Sequence, residues 1–202
     1  GEVKRARDYL ERALVINEQQ YGYTDIRVAV VLTNVGNARG DLGLFKEASE
    51  AFSRALEIYE QHGAQLANPL VDLGNARGCL GDHVGKRDLF QRALPMYEAL
   101  HGRRSERVAY VLAGIGETYG DLGDERMQPM VEEALSIYEE LNMEPEIAST
   151  LLLLATCMGH QNNFDKQKEL VERSLRIGES AQALVCLAKS HGALGDAKEK
   201  CN

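Results

Sequence analysis

The segment Gly36-Asn-Ala-Arg-Gly-Asp-Leu-Gly43 returns as Gly74-Asn-Ala-Arg-Gly-Cys-Leu-Gly81 and as Gly116-Glu-Thr-Tyr-Gly-Asp-Leu-Gly123. Weaker echoes are Ala155-Thr-Cys-Met-Gly-His-Gln-Asn162 and Ala188-Lys-Ser-His-Gly-Ala-Leu-Gly195. A segment that recurs at this spacing means one supersecondary unit stacked repeatedly, because a single copy cannot bury its own apolar face.

The first small residues of the copies, Gly36, Gly74, Gly116, Ala155 and Ala188, lie 38, 42, 39 and 33 residues apart. Four positions before each stands Leu32, Leu70, Leu112, Leu151 or Leu184, and one before stands Val35, Leu73, Ile115, Leu154 or Leu187. Apolar residues three apart share a helical face. The small residue lets a neighbouring helix come close; this is helix A. Seven positions on come Gly43, Gly81, Gly123, Asn162 and Gly195, the types that tolerate positive φ, so a left-handed cap ends helix A there. Helix B follows. Its column is Leu10, Phe52, Phe90, Val131, Val171, then Ala13, Ala55, Ala93, Ala134, Ser174, then Ile16, Ile58, Met96, Ile137, Ile177. The small members allow close approach and the large ones fill the space between helices.

The expected order is B1 (2–20), A2 (25–41), B2 (44–61), A3 (67–80), B3 (83–100), A4 (104–121), B4 (125–141), A5 (145–160), B5 (163–178), A6 (180–193) and the start of B6. Thr24 or Asp25 should cap A2, and Ser105 should cap A4. Pro69 and Pro145 suit first helical turns. Pro95 should bend B3, and Pro129 should distort early B4. The chain opens without Met and inside a helix, so a fragment of a longer array is expected. It reads as one repeat domain over 1–202: helix B of a first repeat at 1–22, repeats at 25–62, 66–101, 104–141 and 145–178, and a partial last repeat at 180–202.

These residues resemble a tetratricopeptide-repeat array: Leu-x-x-Val-Gly in helix A, the Gly turn, and Ala48, Phe52 and Ala55 in helix B match that family's pattern. The long period of ~42 residues, against a usual ~34, is similar to kinesin light chains, as are the connectors Tyr21-Gly22 and His101-Gly102 leading into Val28-Ala29 and Val108-Ala109. The resemblance implies an all-α fold, a right-handed α-solenoid (superhelix) of antiparallel helix pairs. It also implies that residues two, five, nine and thirteen positions into each helix A line a concave groove for a peptide or partner helix. The family's aromatic three after the small residue is replaced by Arg39, Arg77, Met158 and His191, with Tyr119 kept. Its small residue early in helix B is Ala48 once, then Lys86, Met127 and Gln167. Less regular packing is expected there.

Three rows would face the groove: Asn37, Asn75, Glu117, Thr156, Lys189; Thr33, Val71, Ala113, Leu152, Val185; and Val30, Asn68, Tyr110, Ser149, Gln182. Asn37 and Asn75 are the leading candidates, since an Asn amide pairs with both C=O and N–H of a peptide backbone; the alternative is idle surface amides. Asp41, Glu117 and Asp121 would select a basic peptide. A paired-basic clamp for a terminal carboxylate is not evident, because the inner rows supply only Lys189. Glycine recurs four after the small residue, at Gly40, Gly78, Gly120, Gly159 and Gly192. Helical Gly costs about 0.5–1 kcal/mol relative to Ala. Either it forms a floor for a ligand, or, the preferred reading, it serves helix packing or early helix termination.

Other chemistries fit poorly. A net charge of −8 argues against nucleic acid, which requires clustered Lys and Arg. No apolar run approaches a membrane span. Cys79, Cys157, Cys186 and Cys201 give no disulfide framework, which points to a reducing interior and an intracellular, cytoplasmic location; an organelle stays open while the native N-terminus is unseen. Cys157-x-x-His160 with Cys186 and His191 lacks zinc-site spacing. Gly81-Asp-His-Val-Gly85-Lys86-Arg87 is one spacer short of a phosphate loop and has no preceding strand, and Gly114-x-Gly116-x-x-x-Gly120 lacks its strand too. His62 and His101 read as turn residues. No His–Asp–nucleophile set stands out, so no catalytic residue, metal or cofactor is assigned and an enzyme is not expected. The reading is a scaffold for a protein or peptide partner. The rivals are a structural subunit docked by its convex or terminal faces, with end-to-end self-association through the uncapped last repeat, and the regulatory repeats of a signalling ATPase.

Overall fold

In the computed structural model the described residues are 2–178, 180 and 182–188, and among them every regular element is a helix. The helices are α1 (Glu2–Tyr21), α2 (Ile26–Asp41), α3 (Phe45–Gln61), α4 (Ala67–Cys79), α5 (His83–His101), α6 (Glu106–Asp121), α7 (Met127–Glu140), α8 (Glu144–His160) and α9 (Phe164–Ile177). Residues 182–188 are helical as well. The chain divides into two compact units, Gly1–Leu100 and His101–Asn202. Lys189, His191, Gly192, Gly195, Cys201 and the expected B6 lie outside the described residues.

Even-numbered helices are the A helices and odd-numbered ones the B helices. In the first unit, Val28, Ala29, Leu32 and Val35 of α2 meet Ala51, Ala55 and Ile58 of α3, and Leu10 and Leu14 of α1 pack against them. The small residues work as the pattern implied. A Cβ on Gly36 would lie 2.5 Å from the Phe52 ring, one on Gly74 2.7 Å from Phe90, and one on Gly116 2.5 Å from Val131. Hydrogen in place of methyl is what admits the large residue of the partner helix. Ser174, where the other copies have Ala, is accommodated because its hydroxyl donates to the Ala148 carbonyl at 2.9 Å.

The turns repeat at atomic detail. Gly43, Gly81, Gly123 and Asn162 have φ of 74°, 81°, 68° and 57°. The residue after each donates to a carbonyl five back: Leu44 to Arg39, Asp82 to Arg77, Asp124 to Tyr119 and Asn163 to Met158, at 2.8–3.0 Å. The left-handed residue itself donates three back, to Gly40, Gly78, Gly120 or Gly159. This Schellman closure satisfies carbonyls that a helix end leaves open. Gly63 and Asn142 close α3 and α7 in the same way.

Several local expectations change. Asp25, not Thr24, caps α2, its carboxylate accepting from the Arg27 N–H at 2.9 Å. Ser105 holds the N-cap position of α6, but its hydroxyl donates to the Gly102 carbonyl instead. Pro129 falls in the first turn of α7, where its missing N–H has no helical partner to lose, and the helix begins at Met127, two residues later than expected. Ile16 is 57% exposed, because α1 has no A helix before it among the described residues. Leu184 is 46% exposed while Ala183 is buried, so the expected apolar face is turned by a residue there.

Candidate functional site

Three candidates come together in the first unit. Asn37 and Asp41 project one turn apart from α2, and Asn75 projects from α4; all three line a cavity of about 240 Å³. Its remaining walls are Gly36 and Gly40 of α2, Phe45, Ala48 and Phe52 of α3, and Asp72, Ala76 and Cys79 of α4. The charged groups among these are both carboxylates. The cavity therefore combines an aromatic and methyl floor, two amides, and a negative rim.

Its cause is the small residue kept at Ala48. In the second pair Lys86 occupies that register, and its Cδ would lie 2.7 Å from a Cβ on Gly78. Met127 covers Gly120, its Sδ 2.7 Å from where a Cβ would lie, and Gln167 covers Gly159, its Nε2 2.6 Å from where a Cβ would lie. Long side chains from helix B thus lie across the helix A glycines, which is the packing reading of that glycine column. Gly40 is different: nothing lies within 4 Å of where its Cβ would be. Ala48 is too short to reach it, and the space stays open. Phe45, Ala48, Asp72, Ala76 and Cys79 were missed as lining residues; the signal for them was the single Ala in a column of long side chains.

The other candidates are dispersed. Val30 is exposed and Thr33 half-buried on α2, with the Thr33 hydroxyl donating to Ala29. Asn68 on α4 is exposed, and its Oδ1 accepts a 2.6 Å hydrogen bond from the hydroxyl of the buried Tyr97. Val71 and Leu152 are buried and do not belong to an exposed row. In the second unit Tyr110, Glu117 and Asp121 are exposed along α6. Lys189 lies outside the described residues.

The substituted aromatic position is repaired by charge. Arg39 reaches Glu11 of α1 at 3.0 Å and the Glu47 carbonyl of α3 at 3.2 Å. Tyr119 stays buried, with the Arg126 guanidinium 4.4 Å from its ring. Within each unit a second charge pattern links successive B helices. Arg54 of α3 meets Glu18 of α1 at 2.5 Å, Arg92 of α5 meets Glu60 of α3 at 2.9 Å, and Arg173 of α9 meets Glu139 of α7 at 2.5 Å. Each Arg lies two positions after its helix's apolar column residue, and each Glu eight after the earlier one. At α7 that Arg position is Glu133, which takes Arg103 from the connector at 3.0 Å. His62 does more than turn the chain. Its Nε2 lies 2.8 Å from the Thr24 carbonyl and ties the end of α3 to the start of the repeat.

Among the described residues no group of three His, Cys, Asp or Glu side chains is placed to hold a metal, and no helix is long and apolar enough to cross a membrane. Cys157 is buried, and desolvation pushes its thiol pKa up, with Glu132 adding to the shift. That keeps it protonated and poorly nucleophilic. The segment around Gly81–Arg87 is a helix cap: Asp82 accepts from the Gly85 N–H at 2.8 Å, and Lys86 lies on Gly78.

Residues 1–61 match the family model described as tetratricopeptide repeat. A comparison with curated proteins finds no match. Among solved structures, BtubC (BKLC) from P. vanneervenii is 18% identical with a TM-score of 0.75, over 97% of this chain and 85% of that one. The nearly identical TPR-like repeats of a putative kinesin light chain from Podosopora anserina are 16% identical with a TM-score of 0.74, over 88% and 87%. YrrB, described as a TPR protein with an unusual peptide-binding site, is 20% identical with a TM-score of 0.61, over 91% and 82%. The fold is therefore that of tetratricopeptide-like helical repeats, kinesin-light-chain-like ones among them, as the repeated motif implied.

Proposed function

We propose that this chain is a protein-interaction scaffold that holds a peptide or partner helix against the exposed faces of its A helices. The observation that carries the reading is the cavity where Asn37, Asp41 and Asn75 converge. Asn amides hold a peptide backbone without reading its side chains, and the carboxylates favour a basic partner. The peptide-binding site described for YrrB, on the same fold, supports it. Tyr110, Glu117 and Asp121 on α6 offer a second contact surface in the other unit, and no catalytic role is assigned to any residue.

A pull-down from the native source, with wild-type protein beside an Asn37→Ala/Asn75→Ala variant and mass-spectrometric readout, tests the reading. A partner lost only from the variant, with thermal unfolding unchanged, is the expected result. If the variant retains every partner, the contact lies elsewhere and the structural-subunit reading takes its place.

A further inference from the structure

The second helix pair shows what the open space of the first one accepts. There Lys86 lays its aliphatic stem over Gly78 and carries its ammonium to 5.6 Å from the Phe90 ring centroid. Phe52 stands in the register of Phe90, Gly40 in that of Gly78, and Ala48 in that of Lys86. The first pair thus has the glycine, the ring and the room, but no side chain to fill them. Two carboxylates, Asp41 and Asp72, line the same cavity.

We propose that this cavity is a specificity pocket for a lysine side chain of the bound partner, which completes the first pair as Lys86 completes the second. This deepens the peptide-scaffold reading and rests on it. The methylenes of the incoming lysine replace the missing stem over Gly40 and Ala48. Its ammonium lies near the Phe52 ring, where a cation is attracted to the π face, and within reach of the carboxylates at the rim. A neutral side chain of equal length gains only the first of these contacts. An acidic one meets like charge.

The test uses the whole chain, isotope-labelled and followed by its amide resonances. The probes are N-acetyl-lysine methylamide and the norleucine analogue, which has the same stem without the charge. The expected result is a saturable shift at Gly40, Ala48 and Cys79 with the lysine probe, and binding about tenfold weaker with norleucine, the loss typical of a charge-assisted contact. Ala48→Lys fills the space as Lys86 does and should abolish the shift. Should that variant fail to fold, Asp41→Asn with Asp72→Asn provides the independent check and should weaken the lysine probe about tenfold. Equal binding of the two probes, the absence of a saturable shift at these residues, or undiminished binding to the Asn variant overturns the proposal. The two readings fail separately. A pull-down partner that needs Asn37 and Asn75 but tolerates Ala48→Lys sinks the lysine pocket and leaves the scaffold. A lysine-selective pocket with no partner dependent on the two amides does the reverse.

Discussion

Gly36→Ala and Gly40→Ala add the same methyl to the same helix, one turn apart, and should move stability in opposite directions. Replacing Gly by Ala inside a helix gains about 0.8–1 kcal/mol from backbone entropy. Gly40 keeps part of that gain, because nothing lies within 4 Å of its new Cβ and it stands one residue from the end of α2. At Gly36 the methyl would sit 2.5 Å from the ring of Phe52, which is 5% exposed. Carbon–carbon contacts settle at roughly 3.5–4.0 Å, so the ring or the helix must retreat by about an ångström. Overpacking of that kind costs about 1–3 kcal/mol. The two variants should therefore differ by about 1–3 kcal/mol, with Gly40→Ala at or above wild type and Gly36→Ala at or below it. Urea unfolding followed by far-ultraviolet circular dichroism gives the comparison directly, provided the m-value is unchanged. Phe52→Leu in the Gly36→Ala background should recover part of the loss, a coupling that a double-mutant cycle isolates. Coincident midpoints, or a Gly36→Ala variant more stable than Gly40→Ala, would refute the packing argument.

Gly81→Val places a branched side chain at φ of 81° and should cost about 1–3 kcal/mol in thermal unfolding; Gly81→Asn should cost much less, since Asn162 takes the same turn. Arg92→Ala and Arg173→Ala should each lose only about 0.2–1 kcal/mol, because these pairs are solvent-exposed, and the loss measured by urea titration should shrink in high salt; an undiminished loss would mean that packing, not charge, is at stake. The carboxyl of Asp25 is held well below the usual range by the Arg27 side chain and backbone N–H. Its stabilising effect is therefore complete above the ordinary carboxylate pKa and is lost as pH falls through the depressed value. Asp25→Asn keeps a cap acceptor and should remove that part of the acid sensitivity in melts at descending pH; an unchanged acid limb would show that other groups govern it.

The fold was legible because its constraints are local and repeated. The apolar columns at Leu32/Val35 and Phe52/Ala55 specify faces, and the replacement of Gly by Asn162 isolates a backbone requirement from a composition habit. Burial at the chain's ends was not legible. Ile16 belongs to a column that is core in α3 and α7, yet the column says nothing about whether a neighbouring helix is present to cover it. The site was half legible. Asn37, Asp41 and Asn75 share a face that the repeat spacing defines, but the cavity depends on Ala48 failing to reach Gly40, a relation between two helices that only the packing reveals. Asn68 shows what spacing omits: it stays exposed on the candidate face and also accepts from the buried Tyr97 hydroxyl. The Arg and Glu of successive B helices stand at fixed offsets from the apolar column, so their pairing was present in the sequence as plainly as the apolar faces were.

Within each unit that charge pattern gives the paired B helices a direction. In each bond the later helix supplies the guanidinium and the earlier one the carboxylate, so the contact runs head-to-tail along the chain. Any repeat bearing both offsets can follow any other, and a duplicated or deleted repeat restores the joint without a compensating change. Arg12 of α1 carries the same offset and is exposed: a helix packed ahead of it would meet a connector of fixed polarity.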